Sequence, residues 1–107
     1  MEHDANTHDL LESHSNLTVL EPSRHLTSLL TVLRDQRTVM RDFVFAANRI
    51  IRLLLEKSLS DLEYAEKTVI TPTGTEFKGV ELARGVCGVS ILRAGESMEL
   101  ALREILP

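Results

Sequence analysis

The sequence has 107 residues, of which 43% are hydrophobic and 26% charged, a composition typical of a single globular domain. The formal net charge of −4, with no basic stretch, argues against a nucleic-acid partner, and neither a membrane-length apolar run nor a signal-peptide pattern is present. The single cysteine excludes an internal disulfide, so we predict a cytoplasmic protein with no membrane association.

The first predicted boundary separates a tail from a folded region. Residues 1–21 are polar, carry five acidic side chains and contain no lysine or arginine, a pattern that predicts a disordered tail. Residues 22–107 are predicted to fold. Pro22 suits the first turn of a helix, and leucines recur at helical spacing from Leu26 to Leu33.

A second, longer helix is predicted to follow. Thr38 is a candidate cap, apolar residues trace one face from Phe43 to Leu54, and no glycine or proline interrupts the pattern before Ser60. The part at 50–55 is apolar nearly all round, so we expect it to be covered on more than one side, by the domain or by a second subunit.

The next elements are predicted strands. Thr68–Thr71 and Glu76–Val80, joined by a turn that contains Gly74, predict a β-hairpin. The run Val86–Leu92 is short, apolar and rich in β-branched residues, which predicts a strand buried on both faces of a parallel sheet. Apolar residues at helical spacing from Met98 to Ile105 then predict a final helix.

The connection between this strand and this helix is the candidate site. It consists of Arg93, Ala94, Gly95, Glu96 and Ser97. Open α/β sheets bind ligands beyond the carboxyl end of a strand, and an arginine beside unpaired N–H groups suits a phosphate. The alternative is an ordinary connecting turn, in which Gly95 allows a tight bend and Ser97 caps the helix.

The segment Gly88–Met98, Gly-Val-Ser-Ile-Leu-Arg-Ala-Gly-Glu-Ser-Met, resembles the pyrophosphate loop of the uracil phosphoribosyltransferase family. Further matches to the family pattern occur in the same order at Val32–Asp35 with Thr38, Asn48–Leu54, Leu59–Leu62 and Thr71–Gly74. The resemblance implies an α/β chain that forms the N-terminal part of a type I phosphoribosyltransferase fold: two helices, a β-hairpin arm, the first core strand and the following helix.

The family transfers ribose 5-phosphate from phosphoribosyl pyrophosphate to uracil, which yields UMP and pyrophosphate in pyrimidine salvage. The resemblance implies that Arg93, Ala94, Gly95 and Glu96 bind the pyrophosphate group, with Mg²⁺ accompanying the substrate. It assigns no catalytic side chain and no protein metal ligand to these residues.

Some family members are activated by GTP. By position, the resemblance points to Arg49 on the long helix and to Ala83, Arg84, Gly85 and Val86 before the core strand. The alternative for Arg49 is an ordinary solvated arginine on a helix surface.

Family members continue beyond the pattern matched here, with loops that bind the ribose 5-phosphate and uracil. We therefore expect residues 22–107 to be a truncated phosphoribosyltransferase domain that is inactive alone and assembles as a homo-oligomer or with a full-length subunit. The alternative is a non-catalytic binding or assembly module that pairs with such a subunit.

Overall fold

The computed structural model describes Asp9 and residues 13–106. Between residues 24 and 105 the chain is an α/β structure, consistent with the predicted class. Its elements are α1 (Arg24–Arg34), α2 (Met40–Ser60), β1 (Tyr64–Ile70), β2 (Glu76–Leu82), a 3-10 helix (Ala94–Met98) and α3 (Glu99–Ile105). Residues 1–8 and 10–12 of the predicted disordered tail lie outside the described residues. No helix in the described part of the chain has the length and apolar character needed to span a bilayer.

Helix α1 begins two residues after Pro22. The Ser23 hydroxyl oxygen accepts a hydrogen bond from the Leu26 N–H at 3.0 Å, so Ser23 is the cap and satisfies one of the unpaired donors of the first turn. Leu29 is buried, as is Ala46 on α2, and the two helices contact each other. The predicted leucine stripe therefore faces the second helix.

A tight turn joins α1 to α2. The Asp35 carboxylate accepts from the Arg37 backbone N–H at 2.9 Å and from its guanidinium at 3.1 and 3.0 Å. These hydrogen bonds lower the pKa of Asp35 below its usual value of 3.8, the side-chain bond contributing most. The predicted cap at Thr38 is wrong: its hydroxyl donates to the carbonyl of Val32 at 2.7 Å, an orphan acceptor at the end of α1, and Val39 precedes α2 instead.

Helix α2 runs without interruption to Ser60, as predicted, and contacts both α1 and α3. An ion pair from Arg52 to Glu104 links it to α3. The apolar part at 50–55 is covered on one side only: Ile50, Ile51 and Leu55 are half-buried, whereas Leu53 and Leu54 are exposed.

The predicted hairpin is present, with longer strands than the sequence pattern indicated. β1 and β2 pair antiparallel, with Lys67 opposite Gly79 in the centre of the register. Gly74 in the turn has a φ of +82°, a conformation that glycine adopts without a Cβ penalty. Every residue of β1 is exposed, and at its first residue the Tyr64 hydroxyl donates to the carbonyl of Leu59 in α2 at 3.1 Å.

The predicted buried strand at Val86–Leu92 is wrong for this structure. Residues 85–91 have no regular secondary structure, and the side chains of Val89 and Ile91 are 87% and 85% exposed. The physical reason is pairing: a parallel strand needs a neighbour for its N–H and C=O groups, and the only sheet in the described residues is the hairpin. The composition of this segment favours a strand, but the described residues offer no neighbouring strand with which it could pair.

The final helix also begins later than predicted. A 3-10 helix over Ala94–Met98 precedes α3, and the Ser97 hydroxyl donates to the Ala94 carbonyl at 2.6 Å rather than capping α3. Ala101 is the buried residue of the predicted stripe, with Leu102 and Ile105 half-buried. The connection is thus a tight turn held against the side of α3.

Candidate functional site

The candidate turn lies between the extended segment 85–91 and helix α3. At its base the two sides are in contact: a Cβ added to Gly88 would lie 2.5 Å from a Leu102 methyl group. One step closer to the turn, the Ser90 hydroxyl donates a hydrogen bond to the Glu99 carboxylate. The segment before the turn is therefore in contact with one face of α3 at two adjacent points.

Inside the turn the backbone folds back on Ser90. The Gly95 N–H donates to the carbonyl of Ile91 at 2.9 Å, and the Glu96 N–H donates to the carbonyl of Arg93 at 3.2 Å. A Cβ added at Gly95 would lie 3.2–3.3 Å from the Cβ, carbonyl carbon and Cα of Ser90. Gly95 is therefore needed for close approach of two backbone segments, since its φ is not positive.

Arg93 and Glu96 are the charged residues of the turn, and neither side chain has a hydrogen-bond or ion-pair partner among the described residues. The Arg93 side chain is exposed. Ala94 and Glu96 are exposed beside it, whereas Gly95 is half-buried. A free guanidinium with five donors in a planar fork is suited to bidentate contact with an anionic oxygen pair.

The backbone groups of the turn are less uniform than the sequence suggested. The N–H groups of Gly95 and Glu96 already donate within the turn. The Ala94 N–H has no such bond in the described structure, so it is available as a backbone donor. The four predicted residues are adjacent in space, but they do not present equivalent groups.

A cleft of about 790 Å³ lies beside the turn, between α2, residues 88–91 and α3. Ala94 and Gly95 line it, whereas Arg93 and Glu96 do not. Its other lining residues are Leu55, Gly88, Val89, Ser90, Ile91, Met98, Glu99, Leu102 and Arg103. The wall is mostly apolar, and its polar side chains are the hydrogen-bonded pair Ser90 and Glu99 and the neighbouring Arg103.

Glu99 was not predicted as a site residue. It is half-buried, accepts from Ser90, and its second oxygen lies 3.8 Å from the guanidinium of Arg103. A serine and a glutamate nine residues apart, on an extended segment and a helix, match no local motif. The two side chains meet because the turn between them folds the extended segment back against α3.

The second set of predicted residues is divided between two places. An Arg49 guanidinium nitrogen lies 3.4 Å from the His25 ring, between α2 and α1. Arg84 lies 3.8 Å from the Glu63 carboxylate at the foot of the hairpin, and Ala83 donates its N–H to the carbonyl of Glu63 at 3.0 Å. Arg84, Gly85 and Val86 line a small pocket there, of about 330 Å³, which does not include Arg49.

Metal ligands are sparse in the described part of the chain. No three His, Cys, Asp or Glu side chains lie close enough together there to hold a metal ion. Glu96 is the only carboxylate among the four residues of the predicted pyrophosphate site.

Comparison of the sequence with known proteins shows a match to one family. The family model described as "Uracil phosphoribosyltransferase" matches residues 19–107. A uracil phosphoribosyltransferase of Dictyostelium discoideum is 49% identical over 90 residues, which cover 84% of this chain and 42% of that protein.

Two further relatives show the same pattern of coverage. A uracil phosphoribosyltransferase homolog of Danio rerio is 48% identical over 88 residues, 82% of this chain and 34% of that protein. The uridine kinase-like protein 3 of Arabidopsis thaliana is 44% identical over 96 residues, 90% of this chain and 21% of that protein. The chain thus spans between a fifth and two fifths of the length of these curated relatives.

Proposed function

The chain belongs to the uracil phosphoribosyltransferase family, and from that membership we propose that it forms the pyrophosphate-binding part of an enzyme of pyrimidine salvage. The reaction joins uracil to the ribose 5-phosphate of phosphoribosyl pyrophosphate and releases pyrophosphate. The observation that carries the proposal is Arg93, an exposed arginine without a partner among the described residues, at the head of a turn braced against α3. As part of the proposal, the elements 24–105 belong to the N-terminal portion of a type I phosphoribosyltransferase fold.

The chemistry explains why an arginine is needed at this place. N1 of uracil loses its proton to water and forms a bond to the anomeric carbon, the bond from that carbon to the pyrophosphate oxygen breaks, and negative charge grows on the leaving pyrophosphate. A guanidinium placed at that charge stabilises the transition state more than the ground state. A hydrogen bond to a charged group contributes about 1.5–3 kcal/mol, which is the size of effect that Arg93 would supply.

The other residues of the turn have smaller roles in this proposal. The Ala94 N–H is a donor to the same phosphate, while Gly95 and Glu96 shape the turn through their internal hydrogen bonds. Mg²⁺ would accompany phosphoribosyl pyrophosphate and would neutralise part of its phosphate charge. Since the described residues include no cluster of three metal ligands, phosphate oxygens and water would supply most of its coordination, as is usual for this ion.

A chimera tests the proposal. Residues 19–107 replace the matching segment of the Dictyostelium enzyme, and kcat/KM for phosphoribosyl pyrophosphate is compared between the chimera and its Arg93→Ala variant. We expect a fall of about 10- to 100-fold, the factor that follows from losing one charge-assisted hydrogen bond. Arg41→Ala is the control, since Arg41 is an exposed arginine on α2 whose ion-pair partner is its neighbour Asp42. Equal values for Arg93→Ala and Arg41→Ala would refute the assignment.

GTP binding is a second part of the proposal. Arg49, on α2, and Arg84, which lines the small pocket beside the hairpin together with Gly85 and Val86, supply positive charge at two separate places. Activation of the same chimera by GTP should be reduced by Arg49→Ala and by Arg84→Ala. An identical GTP response in wild type and both variants would remove this part of the proposal and leave the role of Arg93 untouched.

A second candidate function is assembly. The exposed segment with Val89 and Ile91, together with exposed Leu53 and Leu54 on α2, offers apolar surface that a monomer rarely leaves open. Such surface suits a module that pairs with a second copy or with a longer family subunit. Co-expression with the Dictyostelium enzyme and measurement of mixed oligomers by light scattering distinguishes this function, with Val89→Glu as the variant expected to abolish pairing.

A further inference from the structure

One side-chain hydrogen bond joins the two ends of the turn that carries Arg93. Ser90 is the last half-buried residue before the turn, and Glu99 is the first residue of α3. The Ser90 hydroxyl donates to the Glu99 carboxylate across the turn. The residues between them are mostly exposed, so this bond is the polar contact that joins the two ends.

An apolar contact two residues earlier in the chain helps to fix the position of Ser90 against α3. Gly88 lies directly against Leu102, and Glu99 and Leu102 are three residues apart, on one face of α3. The extended segment therefore contacts α3 at two successive points. Gly95 in turn lies against the backbone of Ser90, so the position of Ser90 sets the position of the tip of the turn.

From this arrangement we propose that Ser90 and Glu99 are positioning residues for the pyrophosphate group, a role that rests on the function proposed above. Their hydrogen bond holds the two ends of the turn together, and so limits the conformations open to Arg93 and Ala94 between them. Without the bond the turn has more accessible conformations, and binding must bear the entropy of ordering it. The effect is on affinity, because neither side chain is required to touch the ligand.

The charge of Glu99 is not the feature that the proposal uses. A carboxylate near a pyrophosphate site repels the ligand, and Arg103, 3.8 Å away, offsets only part of that charge because it is largely exposed. Two substitutions of Glu99 therefore test the position of the acceptor oxygen and the charge of the side chain separately. Glu99→Gln keeps an oxygen that can accept from Ser90 and removes the charge, whereas Glu99→Asp keeps the charge and withdraws the acceptor by one methylene.

The experiment titrates the full 107-residue chain with inorganic pyrophosphate and follows backbone amide signals by ¹⁵N NMR. In wild type, the Arg93 and Ala94 signals should move and saturate, while those of the hairpin serve as an internal reference. Ser90→Ala and Glu99→Asp should each weaken binding by up to about tenfold, the upper end of the net contribution of one hydrogen bond. Glu99→Gln, which keeps an acceptor for the Ser90 hydroxyl, should retain most of the wild-type affinity. Since the two side chains act through one bond, the double variant Ser90→Ala, Glu99→Asp should be no weaker than either single variant.

Glu104→Asp is the matched control, because it makes the same substitution on the same helix and affects only the pair with Arg52. Equal affinity for wild type, Ser90→Ala and Glu99→Asp would overturn the positioning role, while loss of binding in Arg93→Ala would still support the pyrophosphate site. Weak binding by Glu99→Gln with normal binding by Glu99→Asp would also overturn it, since charge would then be the cause. A wild-type chain whose signals do not move would overturn the positioning role and the pyrophosphate site together. If Ser90→Ala does not fold, the Glu99→Asp and Glu99→Gln pair still decides the question.

Discussion

Gly95 offers the sharpest structural test of the turn, because a single methyl group probes its closest backbone contact. A Cβ at this position would lie 3.2–3.3 Å from Ser90, whereas ordinary van der Waals contact begins at 3.4 Å. Two of the three contacted atoms belong to the Ser90 backbone, which cannot rotate away as a side chain can. Gly95→Ala must therefore shift one of the two segments by a few tenths of an ångström.

The expected cost follows from two opposing effects. Overpacking against a fixed neighbour costs about 1–3 kcal/mol. Replacing glycine by alanine where the backbone tolerates it stabilises by about 0.4–1 kcal/mol, through the unfolded chain. We expect Gly95→Ala to be destabilised by about 1 kcal/mol, which corresponds to a Tm about 4–8 °C lower in a domain of this size.

Gly85→Ala is the matched control, since a Cβ there would have no neighbour within 4 Å. Thermal unfolding of the three proteins by circular dichroism gives the comparison, and amide hydrogen exchange at residue 95 reports the local effect on its bond to Ile91. Gly85→Ala should be at least as stable as wild type. A Gly95→Ala protein as stable as Gly85→Ala, with unchanged exchange at residue 95, would refute the close approach of Gly95 to Ser90.

Two further predictions concern the other turns. Gly74→Ala should destabilise the hairpin by about 1–2 kcal/mol because its φ of +82° is costly for a residue with a Cβ, and Gly74→Asn should recover part of the loss; hydrogen exchange of the strand amides measures both. Asp35→Asn should lower the Tm at neutral pH, where the Asp35 carboxylate is ionised and bonded to Arg37. The pKa of Asp35 is lowered in the folded chain, so this stabilisation is complete above pH 3.8, the usual pKa of the group, and is lost as the pH falls through the folded pKa. The Tm values of wild type and Asp35→Asn should therefore converge in acid. A constant difference from neutral to acid pH would contradict the ion pair.

The helices and the hairpin could be predicted from the sequence because their signals are local. Leucine spacing, an uninterrupted apolar stripe and a turn glycine each specify a short-range geometry, and α1, α2 and the hairpin follow them closely. Their ends were less accurate. Thr38 has the chemistry of a cap, but a carbonyl of the preceding helix lies within reach of its hydroxyl, and nothing in the order of residues shows which acceptor it chooses.

The sequence by itself determined the family, the helical and hairpin elements and the location of the Arg93 turn. The tertiary structure alone decided what surrounds that turn. The run at 86–92 has the composition of a buried strand, yet strand structure depends on a partner's hydrogen bonds, and the described residues provide none. Likewise, Glu99 contacts Ser90 because the chain folds back over nine residues, and Gly95 is needed because it lies on Ser90. Contacts between distant residues depend on how segments pack, and that information is not contained in any one segment's pattern.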